Sequence, residues 1–246
     1  MNGRGYSVGF GPPQTPDVIK YLMIANVGVF ILQNLFPGIV EALFAVWPQR
    51  VWEQGFVWQP ATYMWLHSTG SVFHLLFNMF ALWMFGSPVA SHWGDRRFLR
   101  YYVLCGVGAG VIIAAWPGLL FLFGMPTVQY LIPTLGASGA VFGVLLAYAL
   151  IWPDRTIMLI FPPIPIKAIW LIPLLFFMEL FSGPSNVSHV GHLGGVLVGW
   201  ILLQRMGVGD RVGFKQIKYR YRRWKMRRNL RAVQNEDRRD DHRTFH

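Results

Sequence analysis

Long apolar runs separated by short polar or turn-forming stretches fill the chain from Val18 to Gln204. A helix that crosses a bilayer takes about 20 mostly apolar residues, within roughly 17 to 25. Val18–Phe36, Val72–His92 and Phe98–Ala115 meet that length, and Ile166–Phe181 and Val190–Gln204 follow, flanked by polar or turn-forming residues. Ala137–Trp152 is slightly short at about 16 residues. Trp116–Leu135 carries no charge, yet Pro117, Gly118, Gly124, Pro126 and Pro133 within it predict an irregular loop. The pattern predicts an all-α polytopic membrane protein, a bundle of six transmembrane helices.

Charge fixes the direction of these helices. Of the 22 Lys and Arg, 14 lie in Arg205–His246. With six spans and the N-terminus inside, every basic residue except Arg50 falls on the inner side. A seventh span would place the basic tail outside, against the positive-inside rule. Both termini are therefore expected in the cytoplasm, with the cell membrane as the expected location. The expected divisions are a short segment 1–17, a membrane domain 18–204 and a basic tail 205–246. The first outer connection, Pro37–Gly70, is long and holds Trp47, Trp52, Trp58 and Trp65. Trp favours the membrane interface, so this loop is expected to lie half-immersed there.

Composition agrees with this picture. Of 246 residues 54% are hydrophobic and only 13% charged, against roughly a quarter charged in a soluble domain. The single cysteine, Cys105, excludes an intrachain disulfide. No cleavable signal peptide is expected, because the first apolar run is long enough to span and lacks a small-residue cleavage site.

Polar side chains inside spans are costly and mark function. At 1.5 Å per residue, Ser138 stands about 24 Å above the cytoplasmic end of its span, His192 about 20 Å, Asn78 about 21 Å and His74 about 27 Å. All four reach the outer half of a core about 30 Å thick. Gly136, Gly139 and Gly143 surround Ser138, and Gly191, Gly194, Gly195 and Gly199 surround His192. Gly139 with Gly143, and Gly195 with Gly199, are small-xxx-small pairs that allow close helix contact in lipid.

A serine hydroxyl becomes a nucleophile when a neighbouring imidazole takes its proton, and the same imidazole can protonate the leaving amine. The only acidic residue within a span is Glu179, near the outer end of the fifth. The pattern therefore reads as a Ser138–His192 dyad without an acidic third member. Phe142 shares the helical face of Ser138 and could stack on His192. His74 and Asn78 lie four apart on one face of the second span, where both could donate to a developing oxyanion together with the backbone N–H at the start of the Ser138 helix. His67, Ser68, Ser185, Asn186, Ser188 and His189 flank the outer helix ends and suggest a wet cavity opening outward.

These residues resemble a known family. Gly136-Ala-Ser138-Gly139-Ala-Val-Phe-Gly143 is similar to the serine motif of rhomboid intramembrane proteases, His74-Leu-Leu-Phe-Asn78 to their second-helix His-xxx-Asn, and His192-Leu-Gly-Gly195 followed by Gly199 to their sixth-helix histidine motif. Trp58 to His67 resembles the end of the family's first outer loop, with Gln59 where Arg more commonly follows the Trp. The resemblance runs from about Asp17 to Gln204 and implies a six-transmembrane-helix rhomboid-like bundle. It implies Ser138 as nucleophile, His192 as base, and His74 and Asn78 with the Ser138 N–H as the oxyanion hole. No cofactor or metal is implied. Expected partners are single-span transmembrane proteins, cut near their outer end at small residues, that reach the site between the second and fifth helices under a cap formed by Ser182–Ser188.

Two other readings compete. A catalytically silent rhomboid-like protein would bind or sort transmembrane clients, but such proteins typically lack the Ser or His that this chain retains. A metal site from His67, His74, His189 and His192 lacks the metalloprotease His-Glu-xx-His pattern. In the tail, Phe214, Ile217, Tyr221 and Trp224 recur at helical spacing among Lys and Arg, which predicts an amphipathic helix on anionic membrane lipids. The same charges would suit nucleic acid, which is not an expected partner.

Overall fold

The computed structural model describes residues 11–125, 127–159, 163–181, 189–207, 222, 223 and 226, the side chains of 178–181 excepted. Arg4, the side chain of Glu179, the segment Ser182–Ser188 and the tail positions Phe214, Ile217, Tyr221 and Trp224 lie outside the described residues. The chain divides into two compact units, Met1–Leu203 and Gln204–His246. The first is mostly helical. Among the described residues, three helical stretches are long and apolar enough to cross a membrane: Asp17–Leu35, Val72–Trp93 and Asp95–Leu122.

Helix α1 (Asp17–Leu35) opens with Asp17 in its first turn, paired with Lys20 at 2.9 Å, which suits the positive end of the helix dipole. It buries Ile19, Leu22, Asn26 and Gln33 and turns Tyr21, Ile24 and Leu35 outward. The second long stretch is α5 (Val72–Ala81), a π turn over Leu82–Gly86, and α6 (Ser87–Trp93). Pro88 lies in the first turn of α6, and a proline removes one donor from the ladder upstream of it. The π turn accommodates that missing bond.

The third helix is longer than its sequence pattern predicts. Helix α7 (Asp95–Leu122) passes through Pro117 and Gly118, so the expected loop Trp116–Leu135 begins only after Leu122. A proline inside a helix deletes one hydrogen bond and crowds the preceding turn. The cost is contained because Pro117 is buried against protein and the Trp52 indole donates to the Ala114 carbonyl in that turn at 2.8 Å. The stop comes at Gly124, with φ +70. Its N–H reaches the Phe121 carbonyl and that of Met125 reaches the Leu120 carbonyl, each at 3.0 Å, a Schellman closure.

Between the first two long stretches, the connection Pro37–Gly70 folds into α2 (Ile39–Phe44), α3 (Pro48–Glu53), α4 (Gln59–Thr62) and a 3-10 turn at Tyr63–Trp65. Gln59 is fully buried there, accepting from the Trp47 N–H at 3.0 Å and donating to the Ala42 carbonyl at 3.3 Å. The loop docks on α7 where that helix offers no side chains. A Cβ on Gly110 would collide with the Pro60 carbonyl, and one on Gly106 with Met64.

Helix α8 (Ser138–Ile151) is buried at every position from Gly139 to Leu150. The fifth expected span starts later than its hydropathy suggests. Ile166 and Lys167 belong to a hairpin in which β1 (Thr156–Met158) pairs antiparallel with β2 (Pro165–Lys167), Ile157 opposite Ile166. The β-branched Ile166, directly after Pro165, suits an extended strand better than a first helical turn. A 3-10 turn at Ala168–Trp170 then leads into α9 (Leu171–Phe181), and α10 (His189–Arg205) follows.

Candidate active site

Glycines decide how α8 and α10 meet. A Cβ on Gly195 would run into the Gly139 carbonyl, and one on Gly143 would sit 2.6 Å from the Cys105 sulfur and 3.3 Å from the Gly195 carbonyl. A Cβ on Gly199 would lie 2.7 Å from the Tyr101 hydroxyl and 3.2 Å from the Gly143 Cα. Backbone thus lies against backbone along this seam, the contact that small residues four apart permit. Tyr101 donates to the Gly143 carbonyl at 2.8 Å and Tyr63 to the Gly106 carbonyl at 2.9 Å, tying α7 to α8 and to the first loop.

This seam brings His192 beside the first turn of α8. Its ring is buried and stacks on Phe142, with centroids 4.2 Å apart and planes 8° from parallel. Phe142 is braced on α9 by Phe176, with centroids 5.7 Å apart. Ser138, one turn before Phe142, is the first residue of α8, so its N–H is among those a helix start leaves without an intrahelical partner.

The other side of the site comes from α5. Gly136 holds φ +128, which a side-chain-bearing residue rarely adopts. A Cβ there would lie 2.9 Å from both Cε1 and Nε2 of His74 and 3.8 Å from the Ser138 hydroxyl oxygen. Gly136 is therefore a notch across which the Nε2 edge of His74 approaches Ser138. The opposite ring nitrogen, Nδ1, accepts a hydrogen bond from the Ser68 N–H at 3.2 Å. A nitrogen that accepts carries no proton, so His74 is the neutral tautomer with its proton on Nε2, the atom that faces the notch. Asn78 is buried one turn further along α5 and uses one amide proton on the His74 carbonyl at 2.8 Å.

One expected cavity residue is placed differently. His67 is fully buried rather than lining a wet opening. Gln33 of α1 holds its backbone from both sides, accepting from the His67 N–H and donating to the His67 carbonyl, each at 2.9 Å. Its ring packs edge-on against His74 at 5.3 Å. Burial pushes its imidazole down to about 3, the nearby His74 adds to the effect, and the Trp65 carbonyl opposes it. Ser185, Asn186 and Ser188 lie outside the described residues, and His189 opens α10. Among the described residues, no three His, Cys, Asp or Glu side chains come together as a metal site would require. Gln33 escaped the sequence reading, although an amide inside a span is the signal that could have exposed it.

A Rhomboid domain family model matches residues 54–207. The chain is 34% identical over 138 residues to Rhomboid protein 1, mitochondrial, of Saccharomyces cerevisiae, covering 52% of this chain and 38% of that protein. It is 26% identical to Rhomboid protease AarA of Providencia stuartii over 74% of this chain and 69% of the relative. It is 32% identical to Rhomboid protease GluP of Bacillus subtilis over 63% of this chain and 27% of the relative. The chain thus spans well under two thirds of the yeast and Bacillus proteins.

Proposed function

This chain belongs to the rhomboid family, and we propose that it is an intramembrane serine endopeptidase working through Ser138 and His192. The convergence at Gly136 supports this reading most, because only a residue without a side chain lets the Nε2–H of His74 and the hydroxyl of Ser138 share one small space. In the proposed reaction His192 takes the Ser138 proton as the hydroxyl oxygen attacks a peptide carbonyl. The oxyanion receives hydrogen bonds from His74 Nε2–H, from the Asn78 amide proton not directed at its own helix, and from the Ser138 N–H. His192 then protonates the departing amine. Water attacks the acyl-enzyme by the same route in reverse, returning the proton to Ser138. Phe142 keeps the imidazole in plane in place of an acidic third residue.

The reading extends to topology and substrate. Six spans with both termini in the cytoplasm place the site in the outer half of the membrane. Substrates are then single-span transmembrane proteins, unwound and cut at a small residue near their outer end. Helix α8, at 14 residues, is shorter than a usual span and is enclosed by protein from Gly139 to Leu150. An impermeant thiol reagent applied to intact cells should modify a cysteine placed at Gly124 and spare one at Arg211, and the opposite pattern defeats the six-span arrangement.

Active-site labelling tests the chemistry. A fluorophosphonate probe should label the detergent-purified protein at Ser138, and the label should disappear in Ser138→Ala and fall sharply in His192→Ala. Proteolysis of a transmembrane substrate by either variant at the native rate would end the proposal.

A further inference from the structure

The first helix reaches His74 through one peptide group. The carbonyl of His67 and the N–H of Ser68 are the two ends of a single amide. Its oxygen accepts from Gln33 Nε2 at 2.9 Å, and its N–H donates to His74 Nδ1 at 3.2 Å. Gln33 also accepts through Oε1 from the His67 N–H at 2.9 Å. The second proton on Gln33 Nε2 goes to Glu41 Oε1 at 2.8 Å, and the other Glu41 oxygen accepts from the Gly38 N–H at 3.0 Å. An ionised carboxylate only accepts, so Glu41 fixes which end of the Gln33 amide is nitrogen. The orientation of the carboxamide follows, and with it the donor at the His67 carbonyl. A hydrogen bond at a carbonyl polarises the amide and strengthens its N–H as a donor. Residue 67 also touches His74 a second time, edge-on through its own ring. Gln33 is fully buried and lies ahead of the residues that the family model matches.

We propose that Gln33 is a positioning residue for the reaction. Acting through the His67–Ser68 peptide, it holds His74 as the neutral tautomer that carries its proton on Nε2, against Gly136 and Ser138. The inference rests on the reading of His74 as an oxyanion donor given above. Without the Gln33 donor, the Ser68 N–H is a weaker and less fixed partner. The ring then samples the tautomer whose bare Nε2 would face the oxyanion with a lone pair.

The test combines spectroscopy with kinetics. In protein labelled with ¹⁵N at histidine, the His74 signals, assigned by their loss in His74→Ala, should report an unprotonated Nδ1 and a protonated Nε2. In Gln33→Met they should move toward a mixture of tautomers. The same variant should lose about two- to tenfold in kcat, the range for one neutral hydrogen bond, with KM little changed. Introduced into His74→Ala, it should cost nothing further. If Gln33→Met does not fold, the exchange Gln33→Glu with Glu41→Gln keeps the contact between those two residues and removes the donor to the His67 carbonyl. It should shift the tautomer in the same way. An Nδ1–H tautomer or a cation in the native protein overturns the proposal, as does an unchanged tautomer in the variants. An equal loss of kcat with and without His74 also overturns it. A native protein that the serine probe does not label defeats the protease reading instead, and the tautomer signals then decide the positioning role by themselves.

Discussion

The imidazole of His192 lies flat on the ring of Phe142, with centroids 4.2 Å apart and planes 8° from parallel. Face-to-face contact restrains the tilt of the ring and leaves its nitrogens at the rim, where a proton can be exchanged. Phe142→Leu keeps apolar volume but removes the flat surface. An aromatic contact is worth about 0.5–1.5 kcal/mol beyond burial, so kcat should fall about two- to tenfold. Phe142→Tyr should stay close to the native rate. Equal rates for Leu and Tyr variants would show that only bulk matters there.

Asn78 uses one amide proton on the His74 carbonyl at 2.8 Å, and the other is the one proposed to reach the oxyanion. Asn78→Ala should lower kcat by about 10²–10³, the usual cost of one lost donor, with a small change in KM. A rise in KM at constant kcat would make Asn78 a substrate-binding residue.

Two glycines separate close packing from helix propensity. Gly195→Ala puts a methyl into the Gly139 carbonyl and must part α8 from α10, whereas nothing lies within 4 Å of a Cβ at Gly28. Thermal unfolding in detergent should show a loss of about 1–3 kcal/mol for Gly195→Ala. Gly28→Ala should be neutral or stabilising by up to about 1 kcal/mol. Comparable stability of the two variants would contradict the backbone contact.

His67 should make the fold sensitive to acid. Its ordinary value of 6.5 falls to about 3 in the folded chain. Between these values the unfolded chain takes up a proton that the folded chain refuses. Stability therefore drops as pH falls through that window, by up to about 1.4 kcal/mol per pH unit. His67→Phe should flatten the stability profile between pH 6 and 4, and an unaltered slope would assign the acid sensitivity to other groups.

Much of the arrangement could be read from residue order. Apolar length located the three longest helical stretches, and the glycine spacing around Ser138 and His192 announced the α8–α10 contact. The position of Phe142 four residues after Ser138 allowed a stack on His192 without requiring it, and the structure shows that stack. Other features depend on contacts distant in sequence. Pro117 reads as a helix breaker because nothing local shows that it will be buried or that Trp52 will donate into its turn. Ile166 reads as the start of a helix because hydropathy does not separate a short strand from one. The pairing of Gln33 with His67 spans 34 residues, and no local pattern foretells it.

Helix α8 presents protein to protein along its whole buried length. Its height is therefore gauged against its neighbours and not against the lipid. In a thinner or thicker bilayer, the outward-facing helices would tilt or stretch the surrounding lipid to match. Ser138 would keep its level relative to Gly136, His74 and His192. What would shift is the stretch of a foreign helix that arrives at that level, because such a helix takes its own register from the bilayer. On the proposed reading, the membrane acts as a ruler for an incoming transmembrane substrate while the site stands as a fixed mark.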